Sequence, residues 1–507
     1  MAQSYIKRIL NAQVYDVARE TPLHAAPLLS SRIGNQAFLK REDLQPVFSF
    51  KCRGAYNKMV HLGQEARDAG VVAASAGNHA QGVALAAAKL GIQAKIVMPV
   101  TTPAIKVDAV RALGAKVVLS GDSFDEAAVH AEALVEKEGR TFIHPFDDPD
   151  VIAGQGTVAV ELVRQASKPL DVVFICCGGG GLLAGMAAYL RYVWPDTRIV
   201  GVEPEDAACV QAALLKGRRV TLREVGLFAD GCAVAQVGKE TFRLIRDHVD
   251  DVITVTTDEI CAAVKDIFED TRAIAEPAGA LAVAGMKKYA AEHNLSGQTM
   301  AATVSGANTN FDRLRYISER TEIGERREAV LSVTIPELPG AFKAFCSAIG
   351  KRNVTEFNYR YESATEARVF VGLTITPGDE SVADLQANLS QQGYQVLDMT
   401  DNETAKLHLR HMIGGRLSND IADEMVFRVE FPERPGSLLQ FLSALGNEYS
   451  ISLFHYRNHG AAYGRILVGM EVPAGKRADL KKRLVSLGYR YWEETANPAY
   501  LEYLGRG

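Results

Sequence analysis

Four stretches of this chain hold residue types that do chemistry when brought together. The first is Pro46-Val47-Phe48-Ser49-Phe50-Lys51-Cys52-Arg53-Gly54-Ala55-Tyr56. Its lysine follows Ser-Phe and precedes a small, helix-compatible run. A lysine amine condenses with aldehydes, and burial or a nearby positive charge lowers its pKa enough to make it nucleophilic. A single lysine is also the ordinary solvated surface charge, so Lys51 carries meaning only in company. That company is Ser75-Ala76-Gly77-Asn78-His79, Gly178-Gly179-Gly180-Gly181-Leu182 and Ser305-Gly306-Ala307-Asn308.

Each of these three follows an apolar run of strand type. Glycines between a strand and a helix let the backbone approach an anion, and the amides with the helix dipole hold phosphate. Gly178 to Gly181 match neither Gly-x-Gly-x-x-Gly nor a P-loop with its lysine. From these residues alone a tight strand-to-helix turn reads as well as a phosphate site. The absence of a charge within the run fits a phosphate held largely by amides. Ser75 to His79 suit a carboxylate or a cofactor hydroxyl at a helix start, or simply an N-cap. His79 by itself reads as a packed or capping histidine. Ser305 stands where open α/β sheets bind ligands, at the carboxyl end of a strand, though alone it is a turn serine. Taken together, the four stretches describe a site for a phosphorylated aldehyde with Lys51 as its covalent anchor. No metal constellation stands out. Asp147, Asp148 and Asp150 beside Pro149 read as a solvated helix start.

The elements that must position these residues alternate. Strands are expected at 37–40, 71–74, 94–98, 116–119, 141–143, 171–177, 198–202 and 299–304. Helices are expected at 79–90, 103–113, 123–138, 151–165, 182–192, 257–271, 277–293 and 310–320. Residues 1 to about 35 read as a helix and a connection. Continuous apolar strands in this rhythm predict a parallel sheet with helices on both faces. The charged stretch 322–328, with Gly324, reads as a linker. Beyond it the programme changes and repeats at an offset of about a hundred residues, right for two tandem small domains. A strand over 328–335, the turn Pro336-Glu337-Leu338-Pro339-Gly340 and a helix return as 426–431, Pro432-Glu433-Arg434-Pro435-Gly436 and a helix from Ser437. Phe357-Asn358-Tyr359-Arg360 returns as Phe454-His455-Tyr456-Arg457. Each copy reads β-α-β-β-α-β, the ferredoxin-like order.

Bulk properties narrow the classes. A chain of 507 residues needs two to four domains. A net charge of −5 and a pI near 6.2 point to no nucleic-acid or membrane-surface partner. Seven cysteines without a Cys-x-x-C pair predict reduced thiols in a cytoplasmic setting. Cys176 and Cys177 read as small buried apolar residues. No apolar run is long enough to span a membrane, and the first residues lack the core of a signal peptide.

These stretches, with Glu276-Pro277-Ala278-Gly279, resemble the serine/threonine dehydratases of the tryptophan-synthase-β-like group of pyridoxal-phosphate enzymes. The resemblance covers nearly the whole chain, and the tandem repeat is similar to that of the family's biosynthetic, threonine-deaminating branch. It implies an α/β fold type II catalytic domain at 1–322. Two tandem ACT-like ferredoxin-type α+β regulatory domains would follow at 329–402 and 424–495. It implies pyridoxal 5'-phosphate held as a Schiff base on Lys51, with Phe50 by the ring and Asn78 on the ring hydroxyl. Gly178, Gly179, Gly180, Gly181 and Leu182 would take the phosphate, and Ser305 would face the pyridine nitrogen. Ser75, Ala76, Gly77, Asn78 and His79 would receive the substrate carboxylate. The freed Lys51 amine would remove the α-proton, the cofactor phosphate would assist loss of the β-hydroxyl, and 2-oxobutanoate and ammonia would leave. L-threonine is the implied substrate and L-serine a second. Isoleucine is the implied inhibitor and valine its opponent, bound near Tyr359 and Tyr456, in a homotetramer. Cys52 departs from the family's leucine, and Cys176-Cys177 from a Pro-Val-like pair. A serine dehydratase, serine racemase, threonine synthase or non-catalytic amino-acid sensor is the competing reading. The repeat speaks against the first two, the lack of a second anion site against the third, and the intact Lys51 set against the last.

Overall fold

The β-α rhythm is present from Val71 onward, but it builds two sheets rather than one. The computed structural model describes residues 2–121, 124–311, 313–350, 352–361, 365–376, 380–407, 409, 421, 423–432, 437–445, 448–457 and 463–505. They divide into two units, Met1–Gly324 and Glu325–Gly507.

In the first unit, a six-stranded sheet runs Leu23–Ala25, Gln36–Arg41, Thr299–Val304, Val172–Cys176, Arg198–Pro204, Asp251–Val255. All its neighbours are parallel except the first pair. A parallel four-stranded sheet runs Lys116–Leu119, Ala94–Met98, Val71–Ala74, Thr141–Phe142. The smaller sheet is buried on both faces. Val71, Ala73, Ile96 and Met98 join one apolar cluster, and Val72, Ala74 and Val97 another. Strands buried on both sides read as continuous apolar runs whichever sheet they join, which is why periodicity alone merges the two.

Several elements have no counterpart in the expected series. Among them are the strands Leu23–Ala25 and Asp251–Val255 and the helices Pro27–Ile33, Gln64–Ala69, Cys209–Lys216 and Lys239–His248. The first strand has three residues and the second is only half-buried, so neither shows a strong pattern. The expected linker is partly helical: Arg313–Gly324 runs through its first residues, and a strand starts at Glu328.

One buried ion network braces the helix that starts at Lys51. Arg53 is fully covered and donates from Nε and Nη2 to Glu42, each at 2.8 Å, and from Nη1 to Glu161 at 2.6 Å. Lys40 reaches the other oxygen of Glu161 at 2.7 Å. Charges this deep persist only when paired and fully hydrogen-bonded, so the network holds the helix Lys51–Val60 against Pro149–Gln165 in one register.

In the second unit the β-α-β-β-α-β order occurs twice. Its eight strands form one sheet: Gln395–Asp398, Glu328–Pro336, Glu366–Thr374, Val354–Arg360, Ser450–Arg457, Tyr463–Glu471, Glu424–Pro432, Arg490–Glu493. The repeated aromatic motifs are the central pair. They run antiparallel, with Phe357 opposite Tyr456, Asn358 opposite His455 and Tyr359 opposite Phe454. Equivalent residues therefore exchange places across a pseudo-two-fold axis through Asn358 and His455. Each half also repeats a polar trio. Thr355 donates to Glu328 next to Gly372, and Ser452 to Glu424 next to Gly469. Arg360 crosses between halves to Glu424 at 2.7 Å. Residues 433–436, the second copy of the proline-glycine turn, lie outside the described residues.

Candidate active site

Lys51 opens its helix directly after a strained approach. Phe48 sits at φ 55, a left-handed conformation that is uncommon for a side chain of its size. This turn aims Ser49 at Gly306, with which it forms an isolated antiparallel bridge. The Phe50 amide donates to the Ser305 carbonyl at 3.3 Å, and the Ala307 amide to the Phe48 carbonyl at 2.9 Å. The lysine stretch and the Ser305 stretch are thus joined by backbone. The Ser305 hydroxyl is buried and donates to the Ala278 carbonyl at 3.3 Å.

The Lys51 amine donates to the Pro145 carbonyl at 3.0 Å, and among the described residues no carboxylate pairs with it. Burial pushes its pKa below the ordinary lysine range. Cys232, Cys176 and Glu276 oppose that shift more weakly. The Phe50 ring centroid is 5.3 Å from Nζ.

Pro145 belongs to a connection that also shapes the glycine turn. His144 Nδ1 accepts from the amides of Phe146 and Asp147 at 3.2 and 2.7 Å. The Phe146 side chain lies where a Cβ on Gly181 would come within 3.0 Å. Asp147 caps the helix Lys239–His248, accepting from the amides of Lys239 and Glu240 at 2.7 and 2.8 Å. In that helix Thr241 donates to the Gly179 carbonyl at 2.8 Å. Gly180, at φ 92, adopts a conformation that favours glycine, and a Cβ there would stand 2.8 Å from Ile245. The 13-residue helix Gly181–Val193 follows, and the amides of its first turn have no acceptor within the helix. Leu182 is buried beneath them.

Asn78 opens the helix Asn78–Leu90. Its amide nitrogen donates to Glu276 at 2.5 Å, and its oxygen accepts from Asn308 at 2.6 Å. Ser75, Ala76 and Gly77 are half-buried in the turn before it, with the Gly77 amide donating to Ser75 Oγ at 3.2 Å. His79 turns inward, its Nε2 2.8 Å from the Ile143 carbonyl. Burial, helped by the Lys51 charge, lowers its pKa to about 3, so the ring stays neutral. What His79 offers a ligand is its backbone amide. Of the aspartates expected at a helix start, Asp148 caps it, accepting from the amides of Asp150 and Val151, Asp150 pairs with Arg8 at 2.9 Å, and Asp147 caps the helix Lys239–His248 instead. Tyr359 and Tyr456 are both buried in the second unit.

Reading the sequence for local motifs missed Pro145, Asp147, Thr241 and the role of Glu276. Glu276 lies in the Glu276-Pro277-Ala278-Gly279 motif, and its signal is an acid immediately before a helix-opening proline. Burial and the nearby Asp230 charge push its carboxyl up to about 7. The fold favours the protonated form, so this contribution to stability is complete below about pH 4.5 and lost as pH rises through about 7. Glu276→Gln keeps the shape without the charge. It is expected to flatten the pH dependence of the cofactor-free protein's thermal midpoint across that window. Glu203, also raised to about 7 by burial, adds a slope of the same sign, while His79, lowered to about 3, adds one of opposite sign below about pH 6.5. A variant with the wild-type slope would contradict the assignment.

These residues fit a phosphorylated ring aldehyde. They offer a buried amine without an acid partner, a glycine turn ending at free helix amides, and an oriented amide at Asn78. Ser305 adds a neutral hydroxyl, and the Ser49 hydroxyl is buried without a partner.

The chain matches the family described as pyridoxal-phosphate dependent enzyme over residues 14–306. It matches the C-terminal regulatory domain of threonine dehydratase over 319–409 and 415–504. The L-threonine dehydratase biosynthetic IlvA of Burkholderia multivorans is 55% identical over 506 residues, 99% of each chain. Its Escherichia coli counterpart is 52% identical over 500 residues, 99% of this chain and 97% of that protein. The processed form of threonine deaminase isoform 2 from Solanum lycopersicum superposes with a TM-score of 0.62 at 50% identity. That alignment covers 63% of this chain and 93% of the tomato chain.

Proposed function

The chain belongs to the threonine dehydratases, pyridoxal-phosphate-dependent lyases, and on that premise we propose that it converts L-threonine to 2-oxobutanoate and ammonia with Lys51 as cofactor anchor and general base. The observation that carries this reading is the environment of Lys51. Its amine is buried without an acid, tied by backbone to Ser305 and through Pro145 to the packing of the glycine turn.

Lys51, Phe50, Asn78, Gly178 to Leu182 and Ser305 are the residues that would hold pyridoxal 5'-phosphate. When bound, the cofactor supplies an electron sink for the bond broken at the substrate's α-carbon. Burial keeps Lys51 Nζ neutral more readily than an exposed lysine, which suits it to take the α-proton. Ser305 presents a hydroxyl, which donates or accepts without fixing a positive charge opposite it. Asn78 is held from both ends, by Glu276 and Asn308, so its amide orientation is set before a ligand arrives. The Ser75–Gly77 turn and the first amides of the following helix favour a carboxylate, and the neutral His79 ring brings no competing charge.

The second unit is read as regulatory, with ACT-like domains at 329–402 and 424–495 after a catalytic domain at 1–322. A cavity there supports an effector site at Tyr359. The Tyr359 hydroxyl donates to Glu337 at 2.6 Å, giving a carboxylate for an ammonium group. Leu338, Phe342, Leu442, Leu445, Ile451 and Met470, drawn from both halves, give an apolar wall. Such a lining suits a branched aliphatic amino acid, and isoleucine as inhibitor with valine opposing it is the reading proposed. Tyr456 is kept as the second half's counterpart. It is buried opposite Phe357 and does not line this cavity. L-serine as a second substrate, a homotetramer and a cytoplasmic location rest on the family resemblance. No helix among the described residues is long and apolar enough to cross a membrane.

The test is keto-acid release from threonine and from serine, each with and without isoleucine. Threonine turnover suppressed by isoleucine is expected. Serine racemisation without keto acid would move the chain to the racemases, and turnover indifferent to isoleucine would remove the regulatory reading.

A further inference from the structure

Glycines let a backbone approach a phosphate, but they also leave each peptide plane free to turn, because no Cβ restricts it. The turn from Gly178 to Gly181 therefore needs partners outside itself to fix which way its amides point. Gly179 and Gly180 are buried, and among the described residues their amides find no acceptor. Buried amides are almost always paired, which points to a ligand as the acceptor here.

The carbonyls of the turn are held from outside. The Gly179 carbonyl accepts from the Thr241 hydroxyl at 2.8 Å and from the Gly238 amide at 3.4 Å. Both donors stand at the start of the helix Lys239–His248. In a trans peptide the carbonyl and the following N–H point in opposite directions, and no cis peptide occurs among the described residues. Fixing the Gly179 carbonyl on this helix therefore turns the Gly180 N–H away from it. The Gly178 carbonyl is met, among the described residues, by the thiols of Cys209 at 3.5 Å and Cys177 at 3.7 Å, and a thiol is a weak donor. Thr241 is the short restraint on the turn. It is itself held fast: its side chain is fully buried, and its amide donates to Asp147 at 3.2 Å, beside those of Lys239 and Glu240. Gly238 leaves room for this arrangement. A Cβ there would fall 2.5 Å from the Asp147 carboxylate and 2.6 Å from the Thr241 hydroxyl.

We propose that Thr241 is a positioning residue for the cofactor phosphate, its hydroxyl fixing the Gly179–Gly180 peptide so that the Gly180 amide is presented to the phosphate. This rests on the reading above that the glycine turn holds that group. Thr241 acts through one peptide plane rather than by touching the cofactor. Without its hydroxyl the buried Gly179 carbonyl keeps the long Gly238 contact alone. The peptide then gains freedom that phosphate binding must take away. The loss falls on the phosphate and not on the anchor at Lys51.

The test titrates the full-length, cofactor-free protein with pyridoxal 5'-phosphate and with pyridoxal, which lacks the phosphate, and follows binding by absorbance. The wild-type chain is expected to prefer the phosphorylated form strongly. Thr241→Val keeps the shape and removes the donor. It should weaken binding of the phosphorylated form about tenfold, the effect of leaving one buried acceptor without its main donor, and leave pyridoxal affinity as in wild type. Thr241→Ser keeps the donor and loses a methyl, so it should retain the wild-type preference. A packing role alone predicts the reverse, with valine tolerated and serine not. Thr241→Ala also removes the donor and gives the same result should the valine variant not fold. A donor-free variant that keeps the full preference would overturn the inference and leave the phosphate reading standing. So would equal losses for both ligands, or a serine variant that loses the preference. A wild-type chain that binds both ligands alike would remove the phosphate reading itself, and the role of Thr241 with it.

Discussion

Lys51→Ala is expected to lower threonine turnover by about a thousandfold or more, since a positioned acid-base group contributes a factor of this order and the same residue anchors the cofactor. The fold should survive. Among the described residues the Lys51 amine hydrogen-bonds only the Pro145 carbonyl, and its burial is a cost that alanine removes. The bracing of its helix belongs to Arg53 with Glu42 and Glu161, which the substitution leaves alone. Near-ultraviolet circular dichroism and size-exclusion chromatography check the fold, and steady-state kinetics check the rate. A folded variant that kept more than about a thousandth of the rate would remove Lys51 as the base.

Tyr359→Ala is expected to raise the isoleucine concentration for half-inhibition about tenfold or more, within the usual span of allosteric coupling, with threonine turnover nearly unchanged. The tyrosine lines the cavity, packs edge-on to Phe342 at 5.3 Å and holds the Glu337 carboxylate. Burial pushes the Glu337 carboxyl above its ordinary value. Losing the phenol therefore removes one apolar wall and the donor that orients the acid. Glu337→Gln separates the two effects, because it keeps the wall and removes only the charge. Inhibition from a distant site requires unequal binding to two conformational states, so weaker binding must appear as weaker inhibition. Calorimetry showing wild-type isoleucine affinity in both variants would overturn the placement of the effector at Tyr359.

What could be read from the sequence was local. Asn78, the glycines and Ser305 each stand at a junction between a run of one period and a run of another, and Lys51 drew its meaning from them. Such junctions fall at the carboxyl ends of strands, where a ligand binds. The duplicated Phe-x-Tyr-Arg motif similarly revealed two copies of one small domain. What joins these pieces is not periodic. Pro145 and Asp147 act through a backbone carbonyl and a cap on a helix more than ninety residues away, and no spacing announces either. Glu276 reaches Asn78 across 198 positions. The division into two sheets escaped because Val71–Ala74 and Val172–Cys176 are apolar at every position, and such strands carry no mark of their neighbours. The pairing of Phe357 with Tyr456 is a matter of register between copies, which a repeat offset does not contain.

The central claim is that Lys51 carries the cofactor. Reducing the holoenzyme with borohydride and sequencing its peptides by mass spectrometry tests it most directly. The account predicts loss of the visible absorbance band and a stable pyridoxyl adduct on the peptide containing Lys51, at that residue. An adduct on any other lysine, or an absorbing holoenzyme that yields no adduct on Lys51, would contradict it.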